Sequence, residues 1–431
     1  MNRSMKSLLL AVASALCLSF QAFAADPVRV TFAHPYSTIP ELTAGFAAAV
    51  DQFNKENPGI VVEIVDFPGD PLVAAAGGVL PDVIHTGRSM SFTLFDSGAT
   101  IDLEPYVARL PEWNPEEFLE AYIDSFRWNG HLYALPGSTA QLPILFWNPI
   151  LFEEKGLDGN TPPMDLQESV VYAQRLTRID EDGTVREAGF PAYYGVGAFN
   201  LIAYFGGSVY DFDNHQVTVN TNPAREAMEW LTTLYRVQGG LGHLGWGAFT
   251  GWTRFPWEEF AHGNVGMIQN NDYLWNFFSS INPEMTIANG RMKAGPAIVG
   301  HPDGGVIAHT DSTVVASTAQ HPEAAVRFAV SLNFGPAARA FAEHWPTLVP
   351  SRTIANELLY TVGPDRQQVI QAQMETFHRL RPYPFFPEAG DLLNNLNAAF
   401  EQVVRGEATP SVLEDIEKRT QAMVNQRLAR P

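Results

Sequence analysis

The sequence predicts an α/β fold built as more than one lobe, and three observations lead there. The opening segment alternates strand-like runs with an amphipathic helix. The chain has 431 residues, more than one core of about 150 residues needs. No Gly/Ser- or Pro-rich linker separates its parts, so two compact lobes would be joined by a chain that crosses between them more than once.

Each element has its own signal. Val28-Arg29-Val30-Thr31-Phe32 alternates and is rich in β-formers, so it reads as a strand. Pro40 to Asn54 places Leu42, Phe46, Val50 and Phe53 at helical spacing, and Asn57-Pro58-Gly59 ends that helix before a second strand, Ile60 to Val65. Gly77-Gly78 leads into a third strand, Leu80 to Ile84, and this order predicts a sheet with parallel members. Leu142 to Trp147 is a continuous apolar run, the pattern of a buried strand, in which Pro143 fits only at the start. Ala224 to Tyr235 is an amphipathic helix opening after Asn222-Pro223. Val314-Val315-Ala316 predicts a short strand, Pro322 to Leu332 a helix, and Ala389 to Leu428 a helical tail interrupted near Gly406 to Pro410.

The first residues follow the pattern of a secretory signal peptide, residues 1–24. Arg3 and Lys6 precede an apolar run from Leu8 to Phe20, and Ala22-Phe23-Ala24 supplies small residues for cleavage before Ala25. The run is short of the about 20 residues that span a membrane. Cys17, the single cysteine, sits inside it, and Ser14-Ala15-Leu16 fits a lipidation box poorly. The mature chain is therefore expected to hold no thiol, disulfide or cysteine metal site. Loss of Arg3 and Lys6 makes the formal charge of −20 two units more negative, and a field of that sign repels nucleic acid and anionic lipid.

Catalytic constellations are missing from the sequence. It contains no G-x-S-x-G elbow, no H-E-x-x-H, no phosphate loop and no G-x-G-x-x-G after a strand, and its 11 histidines form no i, i+4 pair. Glu258-Glu259 are adjacent and point in different directions, a poor start for paired acid/base work. Aromatic residues in polar, glycine-rich surroundings stand out instead: Trp246, Trp252, Phe255 and Trp257, then Asn270-Asn271-Asp272-Tyr273-Leu274-Trp275. Ring faces stack on the C–H faces of sugars while neighbouring amides satisfy hydroxyls; equally, tryptophans in a chain of this size fill cores. Arg88 follows a strand end, where open α/β sheets bind ligands. Tyr193-Tyr194 has the chemistry to ligate ferric iron, or to make an ordinary hydrophobic contact.

In order along the chain, these landmarks resemble the family 1 extracellular solute-binding proteins of ABC importers, the maltose-binding type. Phe53 to Ile60 resembles the family's first helix and second strand, and Ala74 to Val83 its run of small residues before Pro-Asp-Val. Gly130 to Pro136 with Leu145-Phe146-Trp147-Asn148 is similar to the segment crossing to the second lobe. Gly206-Gly207, Phe260 to Met267 ending at Trp275, Gly304-Gly305 and Val349-Pro350-Ser351 match later landmarks. Pro162-Pro163-Met164-Asp165 departs from the usual Pro-x-Thr-Trp, and Asp66 to Leu72 is short.

The resemblance implies a type II periplasmic binding-protein fold with three hinge crossings. Residues 25–140 plus 306–350 would form one lobe, and 141–305 plus 351–431 the other. It implies ligand contacts at Tyr36, Thr86, Arg88, Ser89, Gln141, Phe199, Asn200, Asn271, Tyr273, Trp275, Arg381 and Tyr383, and a monomer that captures a carbohydrate-like solute without cofactor or covalent chemistry. Permease subunits with their ATPase would be the partners, in the periplasm. Three alternatives stay open: an anionic polyol such as a glycerol phosphate held by Arg88 and Arg381, a ferric carrier, and a carbohydrate-active enzyme with two carboxyls about 5–9.5 Å apart.

Overall fold

A computed structural model of the chain describes residues 26–117, 123–192, 197–242, 249, 252–345 and 351–429. The signal-peptide segment, Tyr193-Tyr194, Trp246 and Val349-Pro350 lie outside the described residues.

Strand β1 (Val28–Ala33) leads to helix α1 (Pro40–Glu56), which opens on a proline whose missing N–H costs nothing there. The helix buries Leu42, Phe46, Ala49, Val50 and Phe53, the stripe its spacing predicts. β2 (Ile60–Ile64) and β3 (Val83–Gly87) flank β1, both parallel to it. α2 (Arg88–Asp96) starts where β3 ends, and β4 (Leu135–Gln141) closes this stretch.

The chain then enters a second sheet. β5 (Pro143–Trp147) is buried throughout, with its proline at the first position, and lies antiparallel between β6 (Met267–Asn271) and β7 (Lys293–Gly295). Around it pack α3 (Leu166–Leu176), N-capped by the Asp165 carboxylate, α4 (Gly197–Tyr204), α5 (Asn222–Val237) and α6 (Leu274–Ile281).

The return begins with β8 (Val306–Ile307) and β9 (His309–Val315). β9 inserts antiparallel between β3 and β4, giving the order β2-β1-β3-β9-β4. α7 (Pro322–Ser331) and α8 (Gly335–His344) cover this sheet, and Gly45 lets α8 lie close on α1: a methyl there would fall 2.9 Å from the Phe341 ring. α9 (Pro364–Thr376), β10 (Leu380–Arg381), α10 (Ala389–Val404) and α11 (Val412–Leu428) follow, and β10 pairs in parallel with β8.

Two elements differ from expectation. β9 spans seven residues rather than the apolar tip at 314–316, and β4 was hidden by Pro136 and Gly137. Gly137 is required by close approach, since a methyl there would lie 2.7 Å from the Asp311 backbone and 2.8 Å from the His85 ring, beside the irregular step between Thr310 and Ser312.

Two large hydrophobic cores result. One gathers Phe32, Phe46, Ile84, Leu135, Val314 and Phe328; the other gathers Phe146, Phe152, Tyr204, Trp230, Phe278 and Leu396. Leu135 belongs to the first and Leu142 to the second, Ala308 to the second and Val314 to the first, Trp345 to the first and Val369 to the second. The chain thus passes between the cores at these three places, and a short strap reaches back once more at Phe385, a first-core residue between Leu380 and Phe386 of the second. Trp128, Tyr273 and Tyr383 pack against both.

Candidate functional site

The parallel strands β1 and β3 bring their carboxyl ends to one edge of the first sheet, and antiparallel β9 starts at the same edge, where Asp311 pairs with Gly87. Tyr36 follows β1, and its hydroxyl donates to Asp311 Oδ2 at 2.5 Å. Burial first, and the Asp311 carboxylate second, push the Tyr36 phenol far above its usual range, so it stays a donor. His85 is fully buried beneath this pair, with Nε2 3.8 Å from Asp311 Oδ2 and Nδ1 3.2 Å from Thr313 Oγ1. His34 stacks on Phe46 at 4.6 Å; burial, with His85 second, pulls its imidazole down to about 4.

The second core supplies the opposing groups. Gln141, at the crossing from β4 to β5, accepts from Asn271 Nδ2 at 3.2 Å, at the end of β6. Tyr273 caps α6 two residues on, its ring 5.5 Å from Phe277 and 6.4 Å from Trp345. Its phenol is raised chiefly by burial; a hydrogen bond with Asn271 draws it down, and the charges of Asp272 and Asp311 push it up. The Tyr36–Asp311 pair and the Gln141–Asn271–Tyr273 group come from different cores, and the Asp311 charge acts on Tyr273 across the space between them.

A second group centres on Tyr383. The Arg88 guanidinium lies 4.7 Å from the Tyr383 ring centroid and 5.0 Å from that of Phe126, a buried cation between two rings. Phe199 meets Tyr383 at 5.8 Å, and the Tyr383 N–H donates to Ser125 Oγ at 3.1 Å. Arg88 therefore ties the strap carrying Tyr383 to the first core.

The remaining predicted residues fall elsewhere or in supporting roles. Asn200 is buried and clamps a backbone: Nδ2 donates to Ile307 O at 3.1 Å, and Ile307 N–H donates to Oδ1 at 2.8 Å. Arg381 is exposed and donates to the carbonyls of Leu380 and Asp303. Ser89 is exposed on α2, Thr86 is buried in β3, and Trp275 is half-buried against the second core. Of the tryptophan cluster, Trp252 is buried and its Nε1 donates to Val185 O at 2.7 Å, a core role; Phe255 and Trp257 stack on the outside, leading through Phe277 to Tyr273. Asp311, His85 and Trp345 were not anticipated. The polar run His309 to Thr313 ahead of Val314 was the available signal for Asp311.

Among the described residues no cluster of three or more His, Cys, Asp or Glu is arranged to hold a metal ion, and no helix is long and apolar enough to cross a membrane. Residues 48–364 match the family model of bacterial extracellular solute-binding proteins. No curated protein matches the sequence. Among solved structures, the cyclic α-maltosyl-1,6-maltose binding protein of Arthrobacter globiformis shares 19% identity at a TM-score of 0.74, over 92% of this chain and 99% of its own. The sugar-binding protein MalE of Xanthomonas citri shares 19% at 0.73, over 93% and 98%. An ABC substrate-binding protein of Listeria monocytogenes in complex with cycloalternan shares 19% at 0.69, over 94% and 100%. At such identity the likeness is one of fold.

Proposed function

We propose that this chain, which belongs to the bacterial extracellular solute-binding protein family, captures a carbohydrate between its two cores and delivers it to an ABC importer. The observation that carries the reading is the group of Tyr36, Asp311, Gln141, Asn271 and Tyr273, drawn from both cores around a ring that packs on each. Carboxylate and amide acceptors and donors suit sugar hydroxyls, and tyrosine faces suit the C–H faces of a pyranose. The solved relatives named above bind cycloalternan, a cyclic maltosyl-maltose or sugars, which supports the same class. Tyr383, set by Arg88, with Phe199 would supply further aromatic wall.

The lobes proposed are residues 25–140 with 306–350 and residues 141–305 with 351–431; the membership of the two cores supports this division except around Ala308, which joins the second core, and at Phe385, which joins the first. They would close on the solute by hinge motion and present a surface to permease subunits coupled to an ATPase, without covalent chemistry. Secretion to the periplasm through the leader at residues 1–24 and a monomeric state belong to the same reading. The anionic-polyol alternative draws less support, because Arg381 donates to carbonyls and Arg88 lies between two rings.

The test is a thermal-shift screen of the mature protein against neutral sugars, oligosaccharides, sugar acids and glycerol phosphates. A ligand at about 100 times its Kd stabilises by about 2.7 kcal/mol, a readable shift. A shift with neutral saccharides that is lost in Tyr273→Ala supports the reading. A shift confined to phosphorylated compounds overturns the carbohydrate class.

A further inference from the structure

Asp272 lies between Asn271 and Tyr273, and its carboxyl is fully buried. Its backbone N–H donates to Leu142 O at 3.0 Å, at the crossing between the cores, and its side chain faces Gln373 on α9, also fully buried. Gln373 Nε2 donates to Asp272 Oδ2. Two buried atoms of this same pair, Asp272 Oδ1 and Gln373 Oε1, have no hydrogen-bond partner. Both are acceptors when the acid is ionised, and two orphaned buried acceptors in one contact carry a heavy desolvation cost. One proton on Oδ1 satisfies both, because a neutral carboxylic acid and a primary amide are reciprocal in donor and acceptor.

We propose that Asp272 is a positioning residue that stays protonated in the folded protein, its O–H donating to Gln373 Oε1 while Gln373 Nε2 donates to Oδ2. The closed pair pins the turn bearing Asn271 and Tyr273 to α9 and to the crossing at Leu142. On deprotonation the proton leaves to solvent and two acceptors face each other, so the turn loosens. The surroundings agree. Burial is the largest influence and raises the carboxyl to about 8, against the opposing pull of the Leu142 N–H, the Gln373 amide and the N–H groups of Tyr273 and Asp272. The ionisable neighbour on its own turn is Tyr273, itself raised by burial; α9 presents uncharged Gln373 and Thr376, and the crossing presents Leu142. The pairing does not depend on the carbohydrate reading; only its effect on solute affinity rests on that.

The sign follows from proton binding. Between its ordinary value of 3.8 and about 8 the folded state holds a proton that the unfolded chain has lost. The contribution of Asp272 to stability therefore falls with rising pH across that window, by up to tenfold in the folding constant per pH unit, and levels off above it. Asp272→Asn keeps the reciprocal pattern, with Nδ2 donating where the O–H did, and removes the titration. Urea denaturation of both proteins from pH 5 to about 9.5 should show the wild type losing ground to the variant until about pH 8 and then running parallel. An Asp272→Asn protein as unstable as Asp272→Ala at every pH, with the wild-type pH dependence intact, overturns the proposal in favour of an ionised Asp272 held by backbone N–H groups. If the variants fail to fold, infrared spectroscopy of the wild type decides. A protonated-acid carbonyl band at neutral pH that disappears through about pH 8 supports the pair, and its absence at neutral pH overturns it. Neither readout needs a ligand, so a failure here is separate from a failure of the sugar reading.

Discussion

Replacing Asp311 by asparagine tests the centre of the proposed cleft. The side chain keeps its shape and loses its charge, while the Tyr36 hydroxyl, which donates at 2.5 Å, keeps an acceptor. A carboxylate offers about four acceptor directions, and the Tyr36 phenol takes one of them. A hydrogen bond from a sugar hydroxyl to a charged acceptor contributes about 1.5–3 kcal/mol, against about 1 kcal/mol for a neutral one. The net loss is then roughly 0.5–2 kcal/mol for one such bond and about twice that for two, and 1.4 kcal/mol is tenfold in Kd. We expect a saccharide Kd about ten- to a hundredfold weaker by titration calorimetry, with the fold retained. Tyr36→Phe, alone and combined, separates two roles. If Asp311 acts only by holding Tyr36, the single and double variants lose the same affinity. If it binds solute directly, Asp311→Asn loses more than Tyr36→Phe. An unchanged Kd in Asp311→Asn would refute the placement of the site.

Three further outcomes are expected. Asn200→Ala leaves the Ile307 N–H and C=O unpaired in a buried place and should cost about 2–4 kcal/mol in urea denaturation, with solute affinity per folded molecule little changed. Arg88→Met removes a cation from between two rings and should destabilise by about 1–3 kcal/mol; Arg88→Lys should recover part of this, since a lysine keeps charge but not the planar stack, and near-ultraviolet dichroism would follow the Tyr383 environment. His34, held down to about 4 against an ordinary 6.5, takes up a proton more readily in the unfolded chain. The His34 contribution to stability should therefore decline as pH falls from about 6.5 to about 4, opposite in sign to that of Asp272, and the wild type should lose stability relative to His34→Gln over that range in urea denaturation.

The parts of the fold legible in the sequence were those whose burial is one-sided and regular. α1 and α5 show their apolar stripes outright, and β5 shows an unbroken apolar run. β4 and the first half of β9 were not legible, because they carry proline, glycine and polar residues where the sheet edge meets the site. The same cause hid Asp311: one carboxylate in a polar run has no spacing signature, and its meaning comes from Tyr36, 275 positions away. Arg88 was singled out because a strand end marks a sheet edge, and Asn271 and Tyr273 because aromatic rings stand there among amides. Asn200, which came from the family resemblance alone, shows the limit of such carry-over, since an amide that clamps a backbone and one that faces a cleft look alike in sequence.

The interleaving of the cores also bears on when the molecule can fold at all. β9 sits between β3 and β4, and His85 meets Thr313 across 228 positions. Until the ribosome has delivered that late strand, β3 and β4 each keep an open edge and the first core lacks Val314, Phe328 and Phe341. The first-made part of the chain therefore waits on one of the later ones, and a nascent or partly exported molecule remains an unfolded thread for most of its synthesis. Such a thread is competent for passage through a narrow translocation channel, and it needs holding against edge-to-edge association until the strand arrives.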